Sequence, residues 1–210
     1  MPESTVLIVG AGAAGLSAAG ALKRRGIDSV VLEEDEQLGG TWARRYDRLH
    51  LHTVRGFSGL AHYSIPRHYP KYLSREEFIS YLGEYAKHFD LRVITGCPVR
   101  KIRPESDPPD SWSATTAGGE WRSRVVVIAT GQYRFPMLPK WDGRAAYRGM
   151  FVHSSRYTTA APYVGKRVLV EVKSSSEMQE VALRKQELLR RLRKVRGFEN
   201  VVDVRFSVNG

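Results

Sequence analysis

The first apolar run, Thr5 to Gly10 (TVLIVG), stops at a glycine-rich stretch, and Leu16 to Arg25 then carries apolar positions at helical spacing. A second run, Ser29 to Glu33 (SVVLE), follows directly. Together they predict strand, helix and strand within about thirty residues, the size of a parallel pair with a helical crossover. Leu38 to Trp42 (LGGTW) predicts a loop. The residues after it are rich in His, Tyr, Arg and Pro and lack periodicity, and they read as an ordered connection rather than a linker.

Ser74 to Phe89 (SREEFISYLGEYAKHF) predicts a helix with Phe78, Leu82, Tyr85 and Phe89 on one face. Ser74 with Glu77 three residues on forms a capping box. Leu91 to Ile94, Val99 to Arg103 and Trp112 to Thr116 predict strands, with turns at Pro108-Pro109 and Gly118-Gly119. Arg124 to Ala129 is an apolar strand ending in Ala-Thr-Gly, which predicts a return to the central sheet. Near the end, Val168 to Val170 predicts a strand and Glu171 to Ser176 a polar loop in which Ser176 and Gln179 form a second capping box. Met178, Val181, Ala182, Leu188, Leu189, Leu192 and Val195 then trace an amphipathic helix, and Val201 to Val208 alternates as a strand.

Gly10, Gly12 and Gly15 form G-x-G-x-x-G, with Ala13 and Ala14 between, placed where the first strand meets the first helix. The first glycine permits a tight turn, the second admits a pyrophosphate to the backbone, and the third lets helix pack on strand. The helix start offers free N–H groups and partial positive charge to phosphates. Glu33, ending the second strand, supplies the carboxylate that such sites use on ribose hydroxyls. This loop selects a dinucleotide but does not choose between FAD and NAD.

Composition narrows the picture further. Hydrophobic residues make up 42% of the 210, ordinary for a globular chain. No apolar run is long enough to span a bilayer, and no signal-peptide pattern opens the chain. The lone Cys97 excludes an internal disulfide and fits a reducing cytoplasm. The formal net charge is +11, and much of the excess lies between Lys166 and Gly210. Such charge solvates helix faces or attracts an anionic cofactor, nucleic acid or membrane surface. His50, His52, His62 and His68 have no carboxylate or cysteine at ligand spacing, so no metal site is expected. Arg44 and Arg48 read equally as solvated residues or as groups that help hold a phosphate or the edge of a bound cofactor.

The motifs GAGAAG (10–15), Glu33, GGTW (39–42), YDRLHLHT (46–53), YPKYLSREEFISYL (69–82) and ATG (129–131) resemble the N-terminal part of the flavin-containing monooxygenases, including their YUCCA-like and bacterial members. Tyr147 to Tyr157 is similar to the FxGxxxHxxx(Y/F) signature of the N-hydroxylating and related monooxygenases, with Tyr147 replacing Phe. The resemblance covers about residues 4–170. It implies an α/β fold, a Rossmann-like FAD-binding domain (1–165) with a parallel sheet and an inserted β-meander; beyond it the residues themselves predict a short basic strand–helix–strand tail (166–210). The resemblance also implies FAD, with Glu33 on the adenosine ribose and Gly39, Gly40, Thr41 and Trp42 near the pyrophosphate and flavin. Thr130 and Gly131 would lie where the chain passes back over the FAD, and the Val99 backbone would meet the adenine. His153 by itself reads as a structural histidine, and the resemblance associates it with the link between flavin and nicotinamide domains.

In that family a second G-x-G-x-x-G binds NADPH. Here Glu171 to Ser176 (EVKSSS) supply no glycine, so NADPH use is expected to be impaired. The tail is expected to be foreign to the family and the chain truncated or chimeric. It also resembles, weakly, a small basic bacterial domain family linked to replicative-helicase loading. The function expected is that of a flavin monooxygenase part acting on a small molecule, with the catalytic residues unidentified. The alternatives are a non-catalytic binding module whose basic tail contacts nucleic acid or a protein, and a homo-oligomer formed by edge pairing of the tail strand.

Overall fold

The computed structural model describes residues 3–106, 110–131, 136–138, 143–164, 168–172, 185–194 and 204–208, in two compact units, Met1–Pro136 and Met137–Gly210. The first unit contains β1 (Glu3–Val9), α1 (Ala13–Lys23), β2 (Ser29–Leu32), α2 (Gly40–Ala43), α3 (Arg55–Ser58), α4 (Arg75–His88), β3 (Arg92–Ile94), β4 (Lys101–Glu105), β5 (Ser111–Thr116) and β6 (Gly119–Ile128). Its sheet has the order β3-β2-β1-β6-β5-β4. The four strands β3, β2, β1 and β6 run parallel, and β5 and β4 continue the sheet antiparallel. A centrally placed parallel strand is covered on both faces, which is why β1 is continuously apolar from Val6 to Val9. Leu7 and Ile8, on opposite faces, are both fully buried.

On one face Val6, Ile8 and Val31 pack against Leu16 and Ala19 of α1 and Phe78, Tyr81, Leu82 and Tyr85 of α4. On the other, Leu7, Val30 and Leu32 meet Ala114 of β5 and Trp121 of β6. The meander and the apolar return strand are one element, contrary to the separate strand expected at 124–129. Gly119 to Ser123 pair with β5, while the stretch from Arg122 to Ile128 pairs with Glu3 to Val9 of β1. Polar residues predominate in the first half, at Glu120, Arg122, Ser123 and Arg124, and give way to Val125–Val126–Val127–Ile128 in the second.

The capping box of α4 is present in full. Ser74 Oγ accepts from the Glu77 N–H, and Glu77 Oε2 accepts from the Ser74 N–H at 2.7 Å. The tyrosines of this helix order the connection before it. Tyr81 Oη donates to the Tyr63 carbonyl at 2.6 Å and accepts from the Leu60 N–H at 2.7 Å. Tyr85 Oη donates to the Ala61 carbonyl at 2.8 Å. A segment with no periodicity of its own is therefore held by polar tips that emerge from an apolar helix face.

The second unit has short 3₁₀ turns at Arg144–Ala146, Ser154–Arg156 and Ala161–Tyr163, then β7 (Val168–Val172), α5 (Lys185–Arg193) and β8 (Val204–Val208). The two strands pair parallel, Val168 with Val204 through Val172 with Val208, with α5 between them in the chain. Glu171 and Val172, expected to open a loop, are strand residues paired with Ser207 and Val208. The β8 ladder continues past Val170, and backbone pairing outweighs the polarity of one side chain. The Ser176–Gln179 capping box and the start of the expected helix lie outside the described residues.

Candidate functional site

The chain leaves β1 through Gly10, whose φ of +103° is a conformation that L side chains rarely adopt. A Cβ on Gly10 would lie 2.5 Å from the Ala129 carbonyl oxygen, and one on Gly15 would lie 1.9 Å from the Gly10 carbonyl oxygen. A Cβ on Gly12 would meet nothing within 4 Å. The chain's own packing thus requires the first and third glycines, and leaves the second facing open space. Gly12 is the N-cap of α1, with no side-chain cap and no acid in the first turn. Ala13 and Ala14 follow it as the first helical residues, Ala14 exposed.

Glu33 closes β2 and is 8% exposed. Its Oε2 accepts from the Ala11 N–H at 2.6 Å and its Oε1 from the Asp35 N–H at 3.0 Å. Each carboxylate oxygen can accept two hydrogen bonds, so acceptor capacity remains for ribose hydroxyls. The Cys97 N–H donates to the Glu33 carbonyl at 2.7 Å and holds the segment after β3 against the end of β2. Val99 lies in that irregular segment, partly buried, two residues ahead of β4 rather than on the strand expected to begin there.

Gly39 and Gly40 are buried, and Gly40 opens the four-residue helix α2 where a loop was expected. A Cβ on Gly40 would lie 2.0 Å from Asp35 Oδ2, and one on Gly39 would lie 2.9 Å from Ile79 Cγ1. Trp42 packs its ring 4.6 Å from that of Phe78, while Thr41 is exposed. Arg44 forms an ion pair with Asp35. Its hydrogen bond to that carboxylate raises the Arg44 pKa against the opposing effect of burial. Arg44 is thereby committed to the protein itself. Thr130 and Gly131 follow β6 and are exposed, and the adjoining Ala129 is tied to β1 by its N–H on the Val9 carbonyl at 2.8 Å.

The structure therefore assembles Gly10, Gly12, Gly15, Glu33, Ala129 and Thr130 at the carboxyl ends of β1, β2 and β6. Strand ends of this kind are where open α/β sheets bind ligands. The histidines do not converge, and among the described residues no group of three or more His, Cys, Asp or Glu is arranged to hold a metal ion. His153 accepts from the Ser155 N–H at 3.1 Å and caps a 3₁₀ turn in the second unit. Two residues of the site region escaped the sequence reading. Asp35 was hidden in the acidic run 33–36, and Arg75 was hidden by its helix. A cation in a first helical turn, where the dipole disfavours it, was the available signal for Arg75.

An open, mostly parallel sheet with a glycine turn into a helix and an acid closing the second strand defines a Rossmann-like α/β protein. Residues 7–183 match the family described as pyridine nucleotide-disulphide oxidoreductase, and the chain belongs to that family. Among its relatives, the probable indole-3-pyruvate monooxygenase YUCCA4 of Arabidopsis thaliana is 36% identical over 174 residues, which are 82% of this chain and 42% of the relative. The indole-3-pyruvate monooxygenase YUCCA4 of Oryza sativa is also 36% identical, over 82% of this chain and 43% of its own length. The structure of a flavin-containing monooxygenase from Stenotrophomonas maltophilia superposes with a TM-score of 0.81 at 26% identity, covering 100% of this chain and 59% of that one. The chain thus spans less than half the length of these two plant relatives and corresponds to the N-terminal part of a flavin monooxygenase. Both the family match, which runs past Glu171, and the structural match, which reaches the end of the chain, extend into the stretch expected to be foreign. Among the described residues no helix is long and apolar enough to cross a membrane.

Proposed function

We propose that this chain binds FAD and supplies the flavin-binding part of an NADPH- and O₂-dependent monooxygenase acting on a small molecule. The observation that carries the reading is the contrast among the three glycines. Two are demanded by backbone approaches under 3 Å, whereas Gly12 has only open space beside it at the start of an uncapped helix. A pyrophosphate fits that space and the backbone N–H groups beside it. Glu33 accepts from the ribose hydroxyls with the lone pairs not used by Ala11 and Asp35. Gly39 to Trp42 and Thr130–Gly131 border the dinucleotide on either side. When bound, the flavin supplies hydride acceptance from NADPH and activation of dioxygen, and the protein orients it and excludes water.

Use of NADPH by the chain itself is weak in this reading, because the residues after β7 (Lys173 to Ser176) include no glycine for a second pyrophosphate. The test is to release, weigh and identify by spectrum whatever small molecule copurifies, then to titrate ligand-free protein with FAD. Saturable FAD binding is expected, with little NADPH oxidation. Protein that stays colourless and takes up no FAD overturns the reading. A second reading rests on the exposed Arg190, Arg191, Arg193 and Lys194 at the end of α5, which fit a polyanion. Salt-sensitive DNA retention that depends on these four residues would support it, and no retention at low salt removes it.

A further inference from the structure

We propose that Arg75 is a positioning residue for the flavin end of the bound dinucleotide, acting by clamping the carboxyl end of α2 so that Gly39 to Trp42 are held in binding geometry. The inference rests on the FAD reading above. Arg75 is the first residue of α4, directly after the Ser74 cap, and its side chain is only 17% exposed. Nη1 donates to the Ala43 carbonyl at 3.3 Å and also to the Arg45 carbonyl. The same nitrogen lies 3.5 Å from Asp47 Oδ1, while Nε donates to Glu76 Oε1 at 2.8 Å. The Arg75 backbone N–H donates to the Leu49 carbonyl at 2.9 Å. One residue thus fastens the chain from 43 to 49.

α2 needs such a clamp. A single turn does not repay the entropy of its own nucleation and persists only when its ends are held from outside. Its internal bonds run from the Trp42 and Ala43 N–H groups to the Gly39 carbonyl, and from the Arg44 N–H to the Gly40 carbonyl. The Arg45 N–H donates to the Trp42 carbonyl, which leaves the Ala43 carbonyl at the carboxyl end to an outside donor, and a cation is favoured there. The same cation is disfavoured at the start of α4, where Glu76 offsets it through the Nε bond. At its other end the turn is fixed by close packing, Gly39 on Ile79 and Gly40 on Asp35. Arg75 and Asp35 both hold the motif, Arg75 at the Ala43 and Arg45 carbonyls and Asp35 at Gly40 and Arg44. Arg75 reaches two carbonyls at once, which a planar guanidinium can do and a lysine ammonium on a shorter reach cannot reproduce in the same geometry.

The experiment compares the wild type, Arg75→Met and Arg75→Lys, using FAD and ADP as separate probes, with hydrogen exchange on ligand-free protein. In the reading above ADP occupies the Gly10–Gly15 loop and Glu33, and FAD alone carries the flavin that extends along Gly39 to Trp42. Arg75→Met is expected to weaken FAD binding about tenfold or more, as loss of charge-assisted hydrogen bonds does, with ADP affinity changed less than about twofold. Arg75→Lys should fall between. In ligand-free Arg75→Met, the amides of Trp42, Ala43, Arg44 and Arg45 should exchange at least about tenfold faster, with those of the β1 strand unchanged. Equal losses of FAD and ADP affinity, with a lower Tm, make Arg75 merely structural and overturn the proposal. So does FAD binding by Arg75→Met that matches the wild type, or α2 amides that exchange at the wild-type rate. Failure of the wild type to bind FAD while it binds ADP defeats the flavin reading itself, and this inference with it.

Discussion

Substituting Gly12 and Gly15 by alanine in turn separates what the glycine loop does for the fold from what it does for a ligand. Gly12 has φ −73° and ψ −177°, a conformation alanine adopts freely, and its Cβ would meet nothing within 4 Å. Loss of a glycine N-cap costs a few tenths to about 1 kcal/mol, and the stiffer unfolded chain returns about 0.4–1 kcal/mol, so stability should change by less than about 1 kcal/mol. The new methyl nevertheless stands where the pyrophosphate must approach backbone N–H groups to about 3 Å. Displacing one or two charge-assisted hydrogen bonds, each worth about 1.5–3 kcal/mol, predicts FAD affinity lower by about a hundredfold. At Gly15 the Cβ would sit 1.9 Å from the Gly10 carbonyl oxygen, and backbone must move to admit it. Gly15→Ala should therefore cost about 3 kcal/mol or more, in the upper range for overpacking. Thermal unfolding of ligand-free protein and FAD titration by fluorescence quenching measure the two effects. Gly12→Ala protein that binds FAD like the wild type, or that unfolds as readily as Gly15→Ala, would refute the assignment of that open space to a pyrophosphate.

Three further outcomes follow from the same geometry. Glu33→Gln keeps one acceptor oxygen for the Ala11 or Asp35 N–H but not both, so stability should fall by about 1–3 kcal/mol and FAD affinity at least about tenfold; calorimetry and titration of one preparation report both. Ser74→Ala removes half of the α4 capping box and should lower unfolding free energy by about 1 kcal/mol in a denaturant titration; an unchanged midpoint counts against the cap. Burial raises the pKa of Tyr69, aided by its hydrogen bond to Glu84, and burial likewise raises those of Tyr81 and Tyr85. Their contribution is complete below about pH 10, where the unfolded chain ionises, and is lost as pH rises further, by up to about 1.4 kcal/mol per unit for each tyrosine kept neutral. Unfolding at pH 9 and pH 11 should show that decline, and Tyr69→Phe should make it shallower.

The reach of local pattern is visible element by element. β1, α1 and β2 were legible because each is specified by its own residues: a continuous apolar run, a helical stripe, and glycines at a turn. The Ser74–Glu77 box was legible for the same reason, since both partners lie within one helical turn. Glu33 could be placed at the end of a strand from spacing alone. Its two backbone donors could not, because they depend on how the strands abut.

Tertiary structure decided the remainder. Whether 119–123 and 124–128 form one strand depends on pairing with two different neighbours, and no local period encodes that. Arg44 looked available to a phosphate until the fold set it against Asp35. Arg75 carried no local signal of its partners, since the fold brought the Ala43 and Arg45 carbonyls to it from a segment about thirty residues earlier. At the end of the chain, Glu171 reads as a break by polarity, yet the ladder with β8 keeps it in the strand. Side-chain type and short-range spacing state what a residue can do. Long-range packing selects the partner it does it with, because hydrogen-bonding capacity is shared among every group the fold brings within about 3 Å.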